Sequence, residues 1–156
     1  KESIEKVLDV NLKGTILCAK HFINYRKDKT DKRSSLIFIG SVYGEVSPDP
    51  RIYTDLNRKN SEVYGASKAG IIQLAKYYSV HGADFNVRSN VISPGGIYDD
   101  KSPQGADFQE NYKFRCPSKR MATTRDMIGA LIYLLSDSSD YVSGENININ
   151  GGFNSW

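Results

Sequence analysis

A phenol placed four residues before an ammonium, with a hydroxyl ending an apolar run upstream, is a proton-transfer set for a carbonyl or an alcohol. This chain carries such a set in Ser41, Tyr64 and Lys68. Residues i and i+4 share one face of a helix, so Tyr64 and Lys68 are neighbours if their segment is helical. A free tyrosine ionises near pH ~10, too high for a base at neutral pH. An adjacent ammonium favours the phenolate, and a place in the first turn adds the positive end of the helix dipole. Together these bring the phenol toward the range of general acid–base catalysis. Ser41 closes the run Leu36-Ile37-Phe38-Ile39, at the carboxyl end of an expected strand, where α/β sheets place their ligand sites. Its hydroxyl is suited to hydrogen-bond a substrate oxygen. The spacing alone proves nothing, because Tyr25 and Lys29 have it too. That second pair lies in a charged turn with no strand-end serine before it.

The elements that must position these groups are legible in the periodicity. Ile4, Val7, Leu8, Leu12, Ile16, Ala19 and Ile23 recur every three or four residues and predict an amphipathic helix over residues 3–25. The charged run Arg26 to Arg33 reads as a solvated turn. Leu36–Ile39 is continuously apolar, as in a strand buried on both faces of a parallel sheet. Residues 45–60 are rich in Pro, Asp and Asn and predict a long loop, of a length often tied to function. Ser61 is an N-cap type opening a helix over 61–80. A second strand is expected within 86–93, ended by Pro94-Gly95-Gly96. Residues 98–124 are polar with few apolar anchors and read as a mobile substrate flap with a short helix. A helix over 125–136 and a last strand over 145–150 complete the order. Such alternation predicts a parallel α/β sheet with right-handed crossovers in a single domain spanning 1–156.

Bulk properties exclude several classes. The 156 residues carry 21 Lys+Arg against 18 Asp+Glu, and the basic residues are scattered, which argues against a nucleic-acid partner. No stretch of about 18 apolar residues exists, so no membrane-spanning helix is expected. Cys18 and Cys116 form no C-x-x-C pair, and His21 and His81 have no partner at ligand spacing, so no metal site is expected. The simplest compartment is the reducing cytoplasm.

Five ordered pieces resemble the short-chain dehydrogenase/reductase family over essentially the whole chain. They are Asn11-Leu12-x-Gly14, Ile39-Gly40-Ser41-x-x-Gly44, Tyr64-Gly65-Ala66-Ser67-Lys68, Asn90-x-x-x-Pro94-Gly95, and Gly144-Glu145 followed by Asn150-Gly151-Gly152. The resemblance implies Tyr64 as general acid/base and Lys68 as the group that lowers the Tyr64 pKa and hydrogen-bonds the nicotinamide ribose. It implies Ser41 as the holder of the substrate oxygen and Asn11 as the anchor of a proton-relaying water. Pro94, Gly95 and the backbone near Ile97 would contact the cofactor, NAD or NADP. It also implies a homodimer or homotetramer built through helices 3–25 and 61–80.

The chain departs from the family pattern in three places. Asp99 stands where a threonine is common. The stretch between Ser41 and Tyr64 is longer than usual, so residues 45–60 are an inserted loop, expected to wall a pocket for a hydroxyl-rich or sugar-derived substrate. The glycine-rich phosphate fingerprint T-G-x-x-x-G-x-G has no counterpart, since Val46 occupies the third position after Gly40 and Gly44. The chain also opens at Lys1 without a methionine. The expected fold is therefore an incomplete Rossmann-like doubly wound sheet, its last three strands with their helices, and these residues are not expected to act unaided. The expected activity of the parent protein is NAD(P)-dependent interconversion of a carbonyl and an alcohol on a small polar substrate. The alternative is a catalytically silent relative that senses nucleotide or acts as a scaffold, against which the retention of Ser41, Tyr64 and Lys68 speaks.

Overall fold

The computed structural model describes residues 3–54 and 60–156. The elements run as α1 (Ile4–Val7), a wider π turn (Leu8–Lys13), α2 (Gly14–Arg26), β1 (Ser34–Ile39), α3 (Glu62–His81), β2 (Val87–Pro94), α4 (Ala106–Arg115), α5 (Ile128–Leu135) and β3 (Asn146–Ile149). Among the described residues the sheet has three parallel strands in the order β1-β2-β3. Ser34 pairs with Val87 and Ile39 with Ile92, while Val91 pairs with Asn146 and Pro94 with Ile149. All three strands thus end together, and the loops that follow them gather at one edge.

Alternation along β2 divides the two faces of the sheet. Val87 and Val91 join Phe38 of β1 and pack against Ala19 and Ile23 of α2 and Ile71, Ala75 and Tyr78 of α3. On the other face Arg88 donates to Leu134 O and Val142 O, both at 3.1 Å. Asn90, fully buried, donates to Val142 O at 2.9 Å and accepts from Glu145 N at 3.0 Å. Its amide therefore fastens the turn that feeds β3. Gly144 in that turn has φ +87°, a conformation in which a side chain is strained.

A second apolar cluster lies beyond the strand ends: Val42, Ile52, Tyr53, Tyr112, Cys116, Met121 and Phe153. It corrects one expectation. Residues 98–124 are not short of apolar anchors, because Tyr112, Cys116 and Met121 from that stretch are buried here. Ile52 and Tyr53 fasten one arm of the 45–60 loop to the same cluster; Asp55, Asn57 and Arg58 of that loop lie outside the described residues. β1 differs as well. Phe38 is buried, but Ile39 is 55% exposed, because among the described residues β1 pairs on one side only. Arg26, read as part of a solvated turn, is buried and donates to Lys32 O, closing the chain reversal after α2. Ser61 does precede α3, but it caps through its carbonyl to Tyr64 N and not through its hydroxyl.

Candidate active site

Ser41 follows β1 in extended geometry (φ −166°, ψ 152°) and caps the 3₁₀ turn Val42–Gly44. Its Oγ accepts from Tyr43 N at 3.2 Å, which leaves the hydroxyl proton for another acceptor. The turn lies directly on α3: a Cβ on Gly44 would fall 2.9 Å from the Lys68 backbone carbon. The glycine of the Ser-x-x-Gly piece is thus required by the close approach of this turn to the helix carrying Tyr64 and Lys68.

Tyr64 stands in the first turn of α3, half-buried. Lys68, one turn later, puts Nζ 5.7 Å from the Tyr64 ring centroid and donates to Ile39 O at 3.0 Å. That carbonyl, just before Gly40 and Ser41, aims the ammonium at the same strand end. Burial pushes the Lys68 pKa below its ordinary value. The other Tyr/Lys pair is closer, with Lys29 Nζ 4.0 Å from the Tyr25 ring, yet Tyr25 is 61% exposed. Distance would have favoured the outer pair. Placement at a strand end separates them.

Asn11 lies within the π turn Leu8–Lys13, and such turns recur at functional sites. Its Nδ2 donates to Ser67 Oγ at 3.1 Å, and Ser67 Oγ donates to Tyr64 O at 2.7 Å. Thr15 Oγ1 donates to Asn11 O at 2.6 Å. Asn11 therefore reaches the Tyr64 turn of α3 through Ser67, a fully buried residue that periodicity did not single out as functional.

Pro94 ends β2, and Gly95 N donates to Ile149 O at 3.0 Å. Gly96 N donates to the Tyr112 hydroxyl at 2.7 Å, and a Cβ on Gly96 would fall 2.8 Å from the Tyr112 ring. Ile97 bridges Ala122, while its carbonyl accepts from Gln104 Nε2 at 3.3 Å. Asp99 turns away into a local loop, accepting from Lys101 N at 3.0 Å. The structure thus sets Ser41, Tyr64 and Lys68 about one strand end and carries Pro94, Gly95 and Ile97 out of the neighbouring strand. Sequence reasoning missed Tyr112 and Gln104. Phe108 and Tyr112, four apart in an otherwise polar helix, were the available signal for the first. Among the described residues no cluster of His, Cys, Asp and Glu could hold a metal ion, and no helix is long and apolar enough to cross a membrane.

Whether these residues fit a nicotinamide can be judged from their donors. Lys68 spends one N–H on Ile39 O and keeps two, and the Gly95-Gly96 backbone after the neighbouring strand presents no side chain. Both suit the ribose and carboxamide end of a dinucleotide.

The chain is similar to known proteins over almost its whole length. The family profile described as "Enoyl-(Acyl carrier protein) reductase" matches residues 1–154. The chain is 34% identical over 160 residues to an NADH-dependent L-xylulose reductase of Ambrosiozyma monospora, covering 99% of this chain and 56% of that protein. It is 29% identical to a ribulose-forming D-arabinitol 2-dehydrogenase of Candida tropicalis, covering 99% of this chain and 54% of that one. Among solved structures it superposes with a TM-score of 0.88 and 39% identity on a short-chain dehydrogenase from Leptospira borgpetersenii with bound NAD+, covering 96% of this chain and 56% of that one. The chain therefore spans about half the length of the curated relatives it matches.

Proposed function

This chain belongs to the short-chain dehydrogenase/reductase family, and we propose that it carries the proton-transfer site of an NAD- or NADP-dependent enzyme interconverting a ketose and a polyol. The observation that carries the reading is the convergence of Ser41, Tyr64 and Lys68 on the end of β1, with the Pro94–Ile97 loop leaving the adjacent strand. The names of the xylulose reductase and the arabinitol dehydrogenase support the substrate class.

In the reductive direction the Ser41 hydroxyl donates to the substrate carbonyl oxygen, which its capping bond to Tyr43 N leaves it free to do. Tyr64 transfers its phenolic proton to that oxygen as negative charge develops there. Lys68 places positive charge beside the phenol and has donors left for the ribose. Asn11, through Ser67, fixes the turn of α3 that aims Tyr64. Pro94, Gly95 and the Ile97 backbone would hold the nicotinamide end. The dinucleotide, when bound, supplies or accepts the hydride. Oxidation runs the same proton path backwards.

The free thiols Cys18 and Cys116 accord with a reducing cytoplasmic setting. Val10 and Leu17 on one helix and Tyr77 and Val80 on the other are exposed apolar residues that support a homodimer or homotetramer through residues 3–25 and 61–80. The decisive test is Tyr64→Phe in the full-length protein. Turnover should fall by at least a thousandfold with the thermal unfolding midpoint unchanged, and retained turnover would reject Tyr64 as the acid/base.

A further inference from the structure

We propose that Tyr43 and Tyr53 form a positioning pair that ties the 45–60 loop to the reaction centre and sets the Ser41 hydroxyl against Tyr64. The proposal deepens the carbonyl/alcohol reading above and rests on it for the roles of Ser41 and Tyr64. Those two groups come from different elements, one from the end of β1 and one from the first turn of α3. Their spacing depends on what holds the Val42–Gly44 turn against the helix.

The Tyr43 main chain lies between them. Its N–H donates to Ser41 Oγ at 3.2 Å, and a Cβ on Gly65, the residue after Tyr64, would stand 3.0 Å from Tyr43 O. A shift of the Tyr43 backbone thus moves the serine hydroxyl and presses on the helix turn that carries Tyr64. The far end of the Tyr43 side chain is anchored. Its hydroxyl lies 2.7 Å from the Tyr53 hydroxyl, and its ring meets Phe153 edge-on at 6.4 Å between centroids. Tyr53 is buried, with its ring centroid 5.3 Å from that of Phe108, and its hydroxyl accepts from Asn60 Nδ2 at 3.3 Å. Asn60 stands at the entrance to α3, just ahead of the turn that carries Tyr64. The row of Ser41, Tyr43, Tyr53 and Asn60 therefore closes a ring from one proposed reacting group back to the other.

Two phenylalanines would fill the apolar cluster around these rings as well. What the hydroxyls add is direction, a bond of set length from the loop to the turn. Burial pushes both phenols above their ordinary 10.0. They keep their protons at neutral pH, so the tie holds through the range in which Tyr64 would exchange its own. The pair is a fixed support for the reacting groups and not a further acid.

The test is a double-mutant cycle in the full-length protein with Tyr43→Phe, Tyr53→Phe and both together. Reduction of L-xylulose is measured per cofactor-binding site, with the more tightly bound of NADH and NADPH, so that any unfolded fraction drops out. A misplacement of about 1 Å costs about a hundredfold in rate, and loss of this one bond should lower kcat about tenfold in each single variant. The double variant should be no slower than the singles, since each already removes the same bond. Cofactor Kd should stay within about twofold, because the Pro94–Ile97 loop is held by Tyr112 and Gln104 instead. The isotope effect on kcat with cofactor deuterated at the transferred hydride should rise, as the chemical step becomes limiting. A kcat within about twofold of the parent, losses that multiply in the double variant, or an unchanged isotope effect would each overturn the pair. If the parent reduces no ketose, the oxidoreductase reading fails and hydrogen exchange decides the tie alone. Amides of residues 42–46 exchanging about tenfold faster in all three variants, with β2 unchanged, would uphold it, and unchanged exchange would overturn it.

Discussion

Tyr112 is the side chain whose role is plainest once the fold is known. It comes from a polar helix, yet it is buried against Phe153, the two rings stacked at 5.1 Å, and its hydroxyl accepts the Gly96 N–H. Gly95 and Gly96 have no room for a Cβ because Tyr112 occupies that space. We read it as a positioning residue for the loop carrying Ile97. Tyr112→Phe should raise KM for the cofactor about threefold to tenfold with a smaller change in kcat, since loss of one net hydrogen bond is worth about 1 kcal/mol. Equal Michaelis constants in parent and variant would assign it to packing alone. The variant has a second signature. Burial pushes the Tyr112 hydroxyl from an ordinary 10.0 up to about 12. The folded chain then keeps this proton when the unfolded chain has lost it, so the linked stability is full below about pH 10 and is lost as pH rises through about 12. Denaturant unfolding should show a smaller alkaline loss in Tyr112→Phe than in the parent.

The inserted loop is held to its neighbours by charge as well as by Ile52 and Tyr53. Asp49 Oδ1 accepts from Arg51 N at 3.0 Å, its Oδ2 from Arg51 Nη2 at 2.7 Å, and Arg115 at the end of α4 donates Nε to Oδ2 at 3.3 Å. Hydrogen bonds from Arg51, with a further one from Arg115, hold the Asp49 carboxyl down to about 2. A depressed carboxylate contributes stability above its unfolded pKa, here near 3.8, and loses it as pH falls through about 2. Asp49→Asn should therefore cost about 1 kcal/mol at pH 6, after allowance for solvent screening, and much less at pH 2. Urea midpoints at the two pH values check this, and a pH-independent cost would show that the clamp is not electrostatic. Glu45, just past the Ser41 turn, makes a comparable tie at the other end of the site. Its carboxylate accepts from the amides of Asn146, Asn148 and Asn154 at 2.6, 2.8 and 2.8 Å, linking the turn after β1 to β3 and the chain beyond it.

For the molecule as a whole, the helices that present the site also present apolar side chains outward. Leu17 and Val80 are 48% and 67% exposed on α2 and α3, whose inner faces carry Ile23, Ile71 and Ala75. If these outer faces meet a second copy, Leu17→Glu or Val80→Glu in the full-length protein should shift sedimentation from oligomer to monomer. An unchanged oligomer would place the interface elsewhere. Because Tyr64 lies on α3 and Asn11 in the π turn that leads into α2, a monomeric variant should also lose thermal stability.

Much of this was written in the chain itself. The periods of α1–α2, α3 and α5, the apolar run of β1 and the alternation of β3 follow from local burial patterns, which a one-dimensional string records. The ordered family pieces are local as well, and several have a plain backbone reason: Gly44 admits α3, Gly144 and Gly151 take positive φ, and Asn90 closes a turn. Ser41, Tyr64 and Lys68 could be nominated because a strand end and a helix start are both visible in sequence. Tertiary structure decided what depends on distant segments meeting. It buried Tyr112 and Met121 from a stretch that reads as polar, turned Asn11 toward Ser67 across 56 positions, and brought Tyr43, Tyr53 and Asn60 into one hydrogen-bonded row beside Gln104. Those contacts cross between elements whose spacing in sequence carries no period, so only the folded packing could reveal them.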